Sequence, residues 1–242
     1  MNLTFSTSRN NLYRGLSRSI PVCLGYFPIG FVYGVMAAGV GLNPLETTLM
    51  SILVFAGSAQ FIAVGMIGEQ LAVITIALTT FLVNLRHLLM SAALAPCLGH
   101  LSRLQQALFA YQLTDETFAL HSLDFRKEEK PPAVRIITTN MAAHLCWVAG
   151  SLAGVWTGGL LTDLEMLGLD FTLAAMFIFL LVIQITTVKY ILVVLLAMLI
   201  SLLLFKYLGG HWYIIITTLL AATAGFFLEN RRATAAERVK EQ

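Results

Sequence analysis

The stretch LETTLMSILVFAGSAQFIAVGMI, residues 45–67, decides the fold class of this chain. It is long and apolar enough to enter a bilayer, since a membrane-spanning helix needs about 20 mostly apolar residues. The run is continuous rather than alternating in polarity, which favours helices over a membrane β-barrel. Its centre, AGSAQ at residues 56–60, is made of small and polar residues, which predicts an interruption in the helix.

The composition of the whole chain points to the same class. Hydrophobic residues make up 58% of the 242 residues and charged residues 12%, and the mean hydropathy is +0.81. An ordinary soluble domain has about 45–50% apolar and about 25% charged residues. These values exclude a soluble enzyme, a nucleic-acid binder and a disordered chain. We therefore predict an integral membrane protein whose surroundings are the lipid bilayer, with no nucleic-acid partner.

Seven or eight hydrophobic elements follow one another along the chain, which predicts an all-α, polytopic membrane helix bundle. The predicted organisation is a cytoplasmic N-terminal segment (1–19), a single transmembrane domain (20–228) and a cytoplasmic C-terminal tail (229–242). The elements lie at residues 20–40, 45–67, 71–98, 104–123, 136–161, 171–188, 190–205 and 212–228.

The distribution of Lys and Arg predicts the orientation of these elements. Basic residues cluster before the first span, around Arg103, in the loop 124–135 and after the last span, and we place these clusters in the cytoplasm. The connections that carry acidic residues without Lys or Arg belong on the other side: 41–46, 68–70 and 162–170.

Two elements do not fit this orientation as simple crossings. Residues 45–67 lie between two connections predicted to be outside, and residues 104–123 lie between two basic clusters. We predict that both are broken or re-entrant helices, each interrupted at its polar centre. Interrupted segments of this kind line the midplane sites of secondary transporters. The alternative is two ordinary helices with a weak charge bias.

Polar and charged side chains inside apolar stretches are the candidates for function, because a charge near the bilayer centre costs a few kcal/mol without a partner or a watery cavity. Arg86 could pair with Asp115 or Glu116, or it could be a helix-end residue that reaches the interface. His87 fits a hydrogen-bonded imidazole better than a proton relay. The supporting polar residues next to these groups are Asn84 and Thr114.

The small residues of the first interruption suggest a binding role. Gly57 and Ser58 permit the backbone to unwind. Free N–H groups at a half-helix start favour a carboxylate, and free C=O groups at a half-helix end favour a cation, so a zwitterionic amino acid suits both. Gln60 would add amide contacts, and Phe55 and Phe61 would form an apolar pocket. The alternative role for the small residues is close helix packing.

Motifs of several enzyme classes are absent from the sequence. It contains no HExxH, no Walker A motif, no GxSxG and no paired CxxC. We therefore expect no enzymatic activity, no cofactor, no metal site and no ATP-driven step in this chain, so that uphill transport would use an ion gradient.

Five motifs occur in a fixed order: GYFPIG at 25–30, GLNPLE at 41–46, FAGSAQF at 55–61, NLRH at 84–87 and LTDETF at 113–118. In this order they resemble the AzlC family, the large subunit of bacterial branched-chain amino acid exporters linked to azaleucine resistance. The resemblance is dense over residues 25–120 and is only hydropathic after Ile136.

The resemblance implies a secondary active transporter that exports valine, leucine and isoleucine across the bacterial inner membrane. It also implies a two-component permease, in which this chain works with a small hydrophobic AzlD-type subunit. With it, we expect proton coupling and the following site residues: Phe55, Gly57, Ser58, Gln60 and Phe61 for the amino-acid substrate; Arg86, His87, Asp115 and Glu116 for coupling. The alternatives are a channel or facilitator for another small organic solute and a membrane-embedded enzyme or assembly factor.

Overall fold

The structure is a computed structural model, and it describes residues 2–128, 130–158, 178, 181–182, 185, 188–207, 213 and 216–226, with side chains from Arg9 onward. These residues form helices joined by short turns, with no β-strand among them. The predicted all-α membrane bundle is therefore confirmed. Most of the predicted element at 171–188, parts of that at 212–228, and the predicted C-terminal tail lie outside the described residues.

The helices are labelled α1 to α9 in chain order. They are α1 (Asn2–Gly39), α2 (Pro44–Leu53), α3 (Gly57–Gly68), α4 (Val73–Leu94), α5 (Arg103–Tyr111), α6 (Asp115–Lys127), α7 (Ala133–Gly158), α8 (Val188–Tyr207) and α9 (Ile216–Phe226). Within the described part of the chain, four stretches are long and apolar enough to cross a membrane: Arg9–Gly39, Val73–Leu98, Ala133–Gly158 and Val188–Tyr207.

The chain divides into two compact units, residues 1–173 and 174–242. The second unit contains α8 and α9, which approach each other where a Cβ on Gly225 would lie 3.6 Å from Val193 Cγ2. The first unit contains α1 to α7 and all of the predicted site residues. It is the unit that positions the candidate site.

The packing of α1 against α7 forms the frame of the first unit. The two helices run in the same direction, because Gly15 lies against Arg135 and Gly34 against Ser151. Their backbones approach so closely that a Cβ on Gly34 would lie 2.1 Å from Ser151 O. The helix α1 is continuous through Pro21 and Pro28, and it begins inside the segment that was predicted as a separate N-terminal region.

The first predicted interruption is present, but its position differs from the prediction. The unwound residues are 54–56, between α2 and α3, whereas Gly57 and Ser58 already belong to the first turn of α3. Phe55 has φ +41°, a left-handed conformation that is strained for a residue with a large side chain. The small residues thus start the second half-helix, and an aromatic residue occupies the break itself.

Residues 44–68 form a hairpin, here called the first hairpin. Helix α2 begins just after the end of α1, with a capping box between Asn43 and Glu46. Helix α3 ends at Gly68, where an added Cβ would lie 2.9 Å from Val40 Cγ1 on that same end of α1. Both arms pass Tyr33, whose hydroxyl lies 3.6 Å from Met50 Sδ and whose ring lies 5.8 Å from that of Phe61.

Residues 103–127 form a second hairpin. Ser102 caps α5, and Thr114 caps α6 after the break at 112–114. The two ends of the hairpin come together near Pro131, whose carbonyl O lies 2.9 Å from His100 Nε2. Its two arms face each other, with the rings of Phe109 and His121 5.0 Å apart.

The two hairpins enter the unit from opposite ends of α1. The first starts and finishes beside the C-terminal end of α1, whereas the second finishes where Asp124 pairs with Arg18 in the N-terminal half of α1. Both tips reach Tyr26, in the middle of the helix. Both segments are thus broken helices that return to their starting end, as the charge pattern predicts for re-entrant segments.

Candidate functional site

The tips of the two hairpins meet at a polar cluster, here called the central junction. It comprises residues 54–58 of the first hairpin, residues 111–116 of the second, and Tyr26, Arg86 and His144 from the surrounding helices. Each arm of a hairpin is too short to cross about 30 Å of hydrocarbon alone. Because the breaks of the two hairpins meet, four helix ends converge at the junction: the C-terminal ends of α2 and α5, and the N-terminal ends of α3 and α6.

Arg86 connects the N-terminal ends of the two half-helices. Its Nη1 lies 2.8 Å from Asp115 Oδ2 in the first turn of α6, and its Nη2 donates a hydrogen bond to Ser58 Oγ in the first turn of α3. The side chains of Arg86 and Asp115 are 28% and 22% exposed, so the ion pair is only partly buried. The structure therefore contains the Arg86–Asp115 pair that the sequence suggests.

Glu116 has a separate partner on α1. The Tyr26 hydroxyl donates to Glu116 Oε2 at 2.6 Å and lies 2.5 Å from Thr114 Oγ1. The sequence predicts both adjacent acids, Asp115 and Glu116, as site residues. Both are there, because they occupy the first turn of α6, where Asp115 reaches α4 and Glu116 reaches α1. The negative side chains also suit the positive end of the helix dipole.

His144 of α7 joins the two breaks. Its ring stacks on Phe55 with 4.0 Å between centroids, its Nε2 lies 3.2 Å from Ser51 O, and its Nδ1 lies 3.4 Å from Gln112 Nε2. Tyr111 also donates a hydrogen bond to Ile52 O. Carbonyls at the C-terminal end of α2, which would otherwise lack partners, are thus bound by side chains of the other elements.

Gln60 belongs to a buried ring of hydrogen bonds rather than to an open pocket. Its Nε2 donates to Ser51 Oγ at 3.1 Å, and its Oε1 accepts from Trp147 Nε1 at 3.0 Å. Ser51 Oγ in turn donates to Ser151 Oγ at 2.7 Å, and Ser151 Oγ donates to Trp147 O at 2.8 Å. Because the amide is bonded at both ends, Gln60 fixes the first hairpin against α7.

The remaining predicted residues are spread around the junction. Gly57 lies against the indole of Trp147, where a Cβ would be 2.8 Å from Cη2. Phe61 is fully buried beside Tyr33. Asn84 Oδ1 and His87 Nε2 on α4 are buried and have no hydrogen-bond partner among the described residues. The hydrogen bond expected for His87 at this nitrogen is therefore not found there.

Several residues of the site were missed or undervalued by the sequence analysis. Tyr26 lies in the GYFPIG motif, but neither it nor Ser51 has a polar spacing that marks it as a site residue. The set on α7 does carry one, because His144, Trp147 and Ser151 follow the spacing i, i+3, i+7 of a single helix face. That polar stripe on a membrane helix is a signal that could have located the site.

The central junction brings positive and negative groups together. It offers a guanidinium, two carboxylates, and helix ends of both polarities within one contact network. Among the described residues there is no group of three or more His, Cys, Asp or Glu side chains that could hold a metal ion.

Residues 21–161, more than half of the chain, match the protein family described as AzlC protein. The chain belongs to the AzlC family. The matched residues contain both hairpins together with α4 and α7, so the central junction lies wholly inside the AzlC region. The described helices of the second unit, α8 and α9, lie beyond it.

Similar proteins in other organisms are also membrane proteins. An "Uncharacterized membrane protein" of Archaeoglobus fulgidus is 32% identical, over 73% of this chain and 77% of its own length. "Inner membrane protein YgaZ" of Escherichia coli strain K12 is 30% identical, over 67% of this chain and 69% of its own. "Branched-chain amino acid transport protein AzlC" of Bacillus subtilis strain 168 is 24% identical, over 69% and 65%. No solved structure matches this AzlC chain at a significant level.

Proposed function

We propose that this AzlC-family protein is a secondary active transporter that exports branched-chain amino acids (valine, leucine, isoleucine) across the bacterial inner membrane by proton coupling. The name of the Bacillus subtilis relative supports the substrate class, and that of the Escherichia coli relative supports the membrane. In this proposal the chain is the large subunit of a two-component permease and works with a small hydrophobic AzlD-type subunit. Both of its termini lie in the cytoplasm.

The observation that carries the proposal is the position of Arg86 between two half-helix N-terminal ends. The guanidinium holds Ser58 on one hairpin and Asp115 on the other, in a partly exposed pair. A carboxylate that arrives here would find a cation and the positive ends of two helix dipoles. A channel for a neutral solute has no evident use for this arrangement.

The other groups would complete an amino-acid site. The substrate carboxylate would bind near Gly57 and Ser58 together with Arg86, and the ammonium would face Glu116. The ring of Phe55 is buried against His144 in this structure, so it would contact the aliphatic side chain of the substrate only once the tip of the first hairpin moves. Thr114 would hold the first turn of α6. Gln60 and Phe61 are packed against the protein, so they would position the hairpin rather than touch the substrate.

The coupling step would be the protonation of Asp115. A proton on this carboxyl removes its negative charge, weakens the ion pair and frees Arg86 for the substrate carboxylate. Because the hairpins enter from opposite ends of α1, movement of one or the other would open the junction to alternate sides. The same hydrogen-bond network that closes the junction would then be the part that separates.

Counterflow of labelled valine in proteoliposomes that contain the partner subunit tests this mechanism. We expect Asp115→Asn to lower counterflow by at least tenfold and to abolish its dependence on pH, and Glu116→Gln to weaken valine binding. Glu69→Gln is the matched control, because Glu69 is an exposed acid away from the junction. Normal transport with unchanged pH dependence in both junction variants would refute the coupling role, and downhill flux indifferent to a proton gradient would indicate a facilitator.

A further inference from the structure

A cavity of about 330 Å³ lies beside the N-terminal half of α1, separate from the central junction. Its walls come from three helices that meet there. The lining residues are Tyr13, Arg14, Ser17 and Arg18 of α1, Asp124, Lys127 and Glu128 at the end of α6, and Arg135 near the start of α7.

The charge of this cavity is positive. Four of its residues are basic and two are acidic, and both acids are already paired: Asp124 accepts from Arg18 Nε at 3.1 Å, and Glu128 pairs with Arg135. Arg14 and Lys127 have no carboxylate partner within the part of the chain that the structure describes. The cavity therefore presents two uncompensated cations to whatever enters it.

An exposed apolar stripe begins at the cavity and runs along α1. Its members follow the spacing i, i+3, i+7, i+11, i+14, which keeps them on one face of a helix. The first of them, Tyr13, also lines the cavity, and tyrosine is favoured at the boundary between headgroups and hydrocarbon. The stripe consists of Tyr13, Leu16, Ile20, Leu24 and Phe27.

We propose that this cavity binds the phosphate headgroup of an anionic phospholipid, with an acyl chain along the apolar stripe. Arg14 and Lys127 bind the phosphate, since basic pockets between membrane helices recognise such headgroups. An inorganic phosphate ion has the same charge chemistry but would leave the stripe unused. The bound lipid would also hold α1, α6 and α7 together, because the cavity is built from all three.

The test is the thermal unfolding of the full-length chain, purified in detergent micelles, with three added probes: phosphatidylglycerol, phosphatidylcholine and inorganic phosphate. We expect phosphatidylglycerol to raise the unfolding midpoint with saturation, and the other two to have no such effect. The double variant Arg14→Gln/Lys127→Gln should bind phosphatidylglycerol on the order of thirtyfold more weakly, because each basic residue near an anionic surface contributes about 1 kcal/mol.

The matched control is Arg9→Gln/Arg126→Gln, which removes two exposed cations from the same two helices outside the cavity. It should keep the affinity of the unmodified chain for phosphatidylglycerol. An equal loss in both double variants, or no loss in either, would overturn the proposed site. An equal stabilisation by inorganic phosphate would overturn the lipid assignment in favour of a soluble anion, and an equal effect of phosphatidylcholine would overturn the role of charge.

Discussion

At the scale of single residues, the partly buried carboxylate of Glu116 accepts a hydrogen bond from one tyrosine. Tyr26 is buried in α1, and its hydroxyl is 2.6 Å from Glu116 Oε2. A hydrogen bond to a charged group contributes more than one between neutral groups, and its loss leaves the partly buried carboxylate without that donor. The stability of the protein should therefore depend on the hydroxyl oxygen of Tyr26.

We expect Tyr26→Phe to lower the free energy of unfolding by about 1.5–3 kcal/mol, because the variant keeps the ring and removes only the donor. Chemical unfolding in detergent micelles measures this difference. Tyr13→Phe is the control on the same helix, where the side chain is exposed and the expected change is near zero. Equal stability of both variants would show that the Tyr26 hydroxyl does not support Glu116.

Some residues of the site can be predicted from the sequence and others cannot, because a charge in an apolar stretch is visible in the sequence and a tertiary contact is not. Arg86 and Asp115 are conspicuous because charge is expensive in an apolar stretch, whatever the fold around it. An isolated hydroxyl in a membrane helix is common. Tyr26 acquires its polar partners from the second hairpin, and Ser51 acquires its partners from Gln60 and from Ser151 of α7. Their role depends on tertiary contacts that no local pattern contains.

At the scale of helices, the approach of α1 and α7 depends on glycine. A Cβ on Gly34 would lie 2.1 Å from Ser151 O, and one on Gly154 would lie 2.0 Å from Phe31 O. Both contacts are with backbone atoms, which cannot turn away as a side chain can. The two helices must separate if either glycine gains a methyl group, and the hydrogen-bond ring on α7 would move with them.

We expect Gly34→Ala to lower the free energy of unfolding by about 1–3 kcal/mol, the usual cost of overpacking a tight interface. Gly25→Ala is the matched control on the same helix, because a Cβ there meets nothing within 4 Å. The control should be neutral or stabilising by up to about 1 kcal/mol, since alanine favours a helix over glycine. Unfolding in detergent micelles compares the two, and an equal effect would contradict the close packing.

The start of α6 offers a second comparison between elements. Thr114 and Asn43 both form capping boxes, but only Thr114 belongs to the central junction, where its hydroxyl also accepts from Tyr26. Removal of an N-cap side chain costs about 0.5–2 kcal/mol. We expect both Thr114→Ala and Asn43→Ala to destabilise the protein, Thr114→Ala more because it also loses the bond to Tyr26, while valine counterflow falls severalfold only in Thr114→Ala. Equal transport in the two variants would show that Thr114 acts only as a helix cap and has no role in transport.

The exact position of a break is harder to predict than its presence. Small residues at 56–60 indicated the interruption, yet the unwound residues are 54–56, and Phe55 adopts the strained conformation. The stack of Phe55 on His144 and the bonds from His144 and Tyr111 to α2 carbonyls accompany that strain. Tertiary contacts can thus outweigh the local preference of glycine for irregular backbone.

At the scale of the first unit, the proposed opening of the central junction to alternate sides of the membrane would depend on the two hairpins. Each arm is short, so its length alone does not distinguish a return from a bent crossing. The contacts do distinguish them: Gly68 returns to Val40, and the region after α6 returns to His100. The charge pattern of the sequence predicts the same return, because each segment is flanked by connections of one type.

Labelling of single cysteines from one side of the membrane tests this arrangement in a chain whose three native cysteines have been replaced by alanine. We expect Glu46→Cys and Glu69→Cys, at the two ends of the first hairpin, both to react with an impermeant maleimide added to intact spheroplasts. Arg103→Cys and Lys127→Cys, at the two ends of the second, should react only after the membrane is permeabilised. These positions are all exposed in the structure, so a lack of reaction reports sidedness rather than burial.

One reactive and one protected member within either pair would mean that the segment crosses the bilayer, and the two hairpins could not then serve as opposite gates to one junction. Complete reversal of both pairs would preserve the hairpins and overturn only the cytoplasmic placement of the basic clusters.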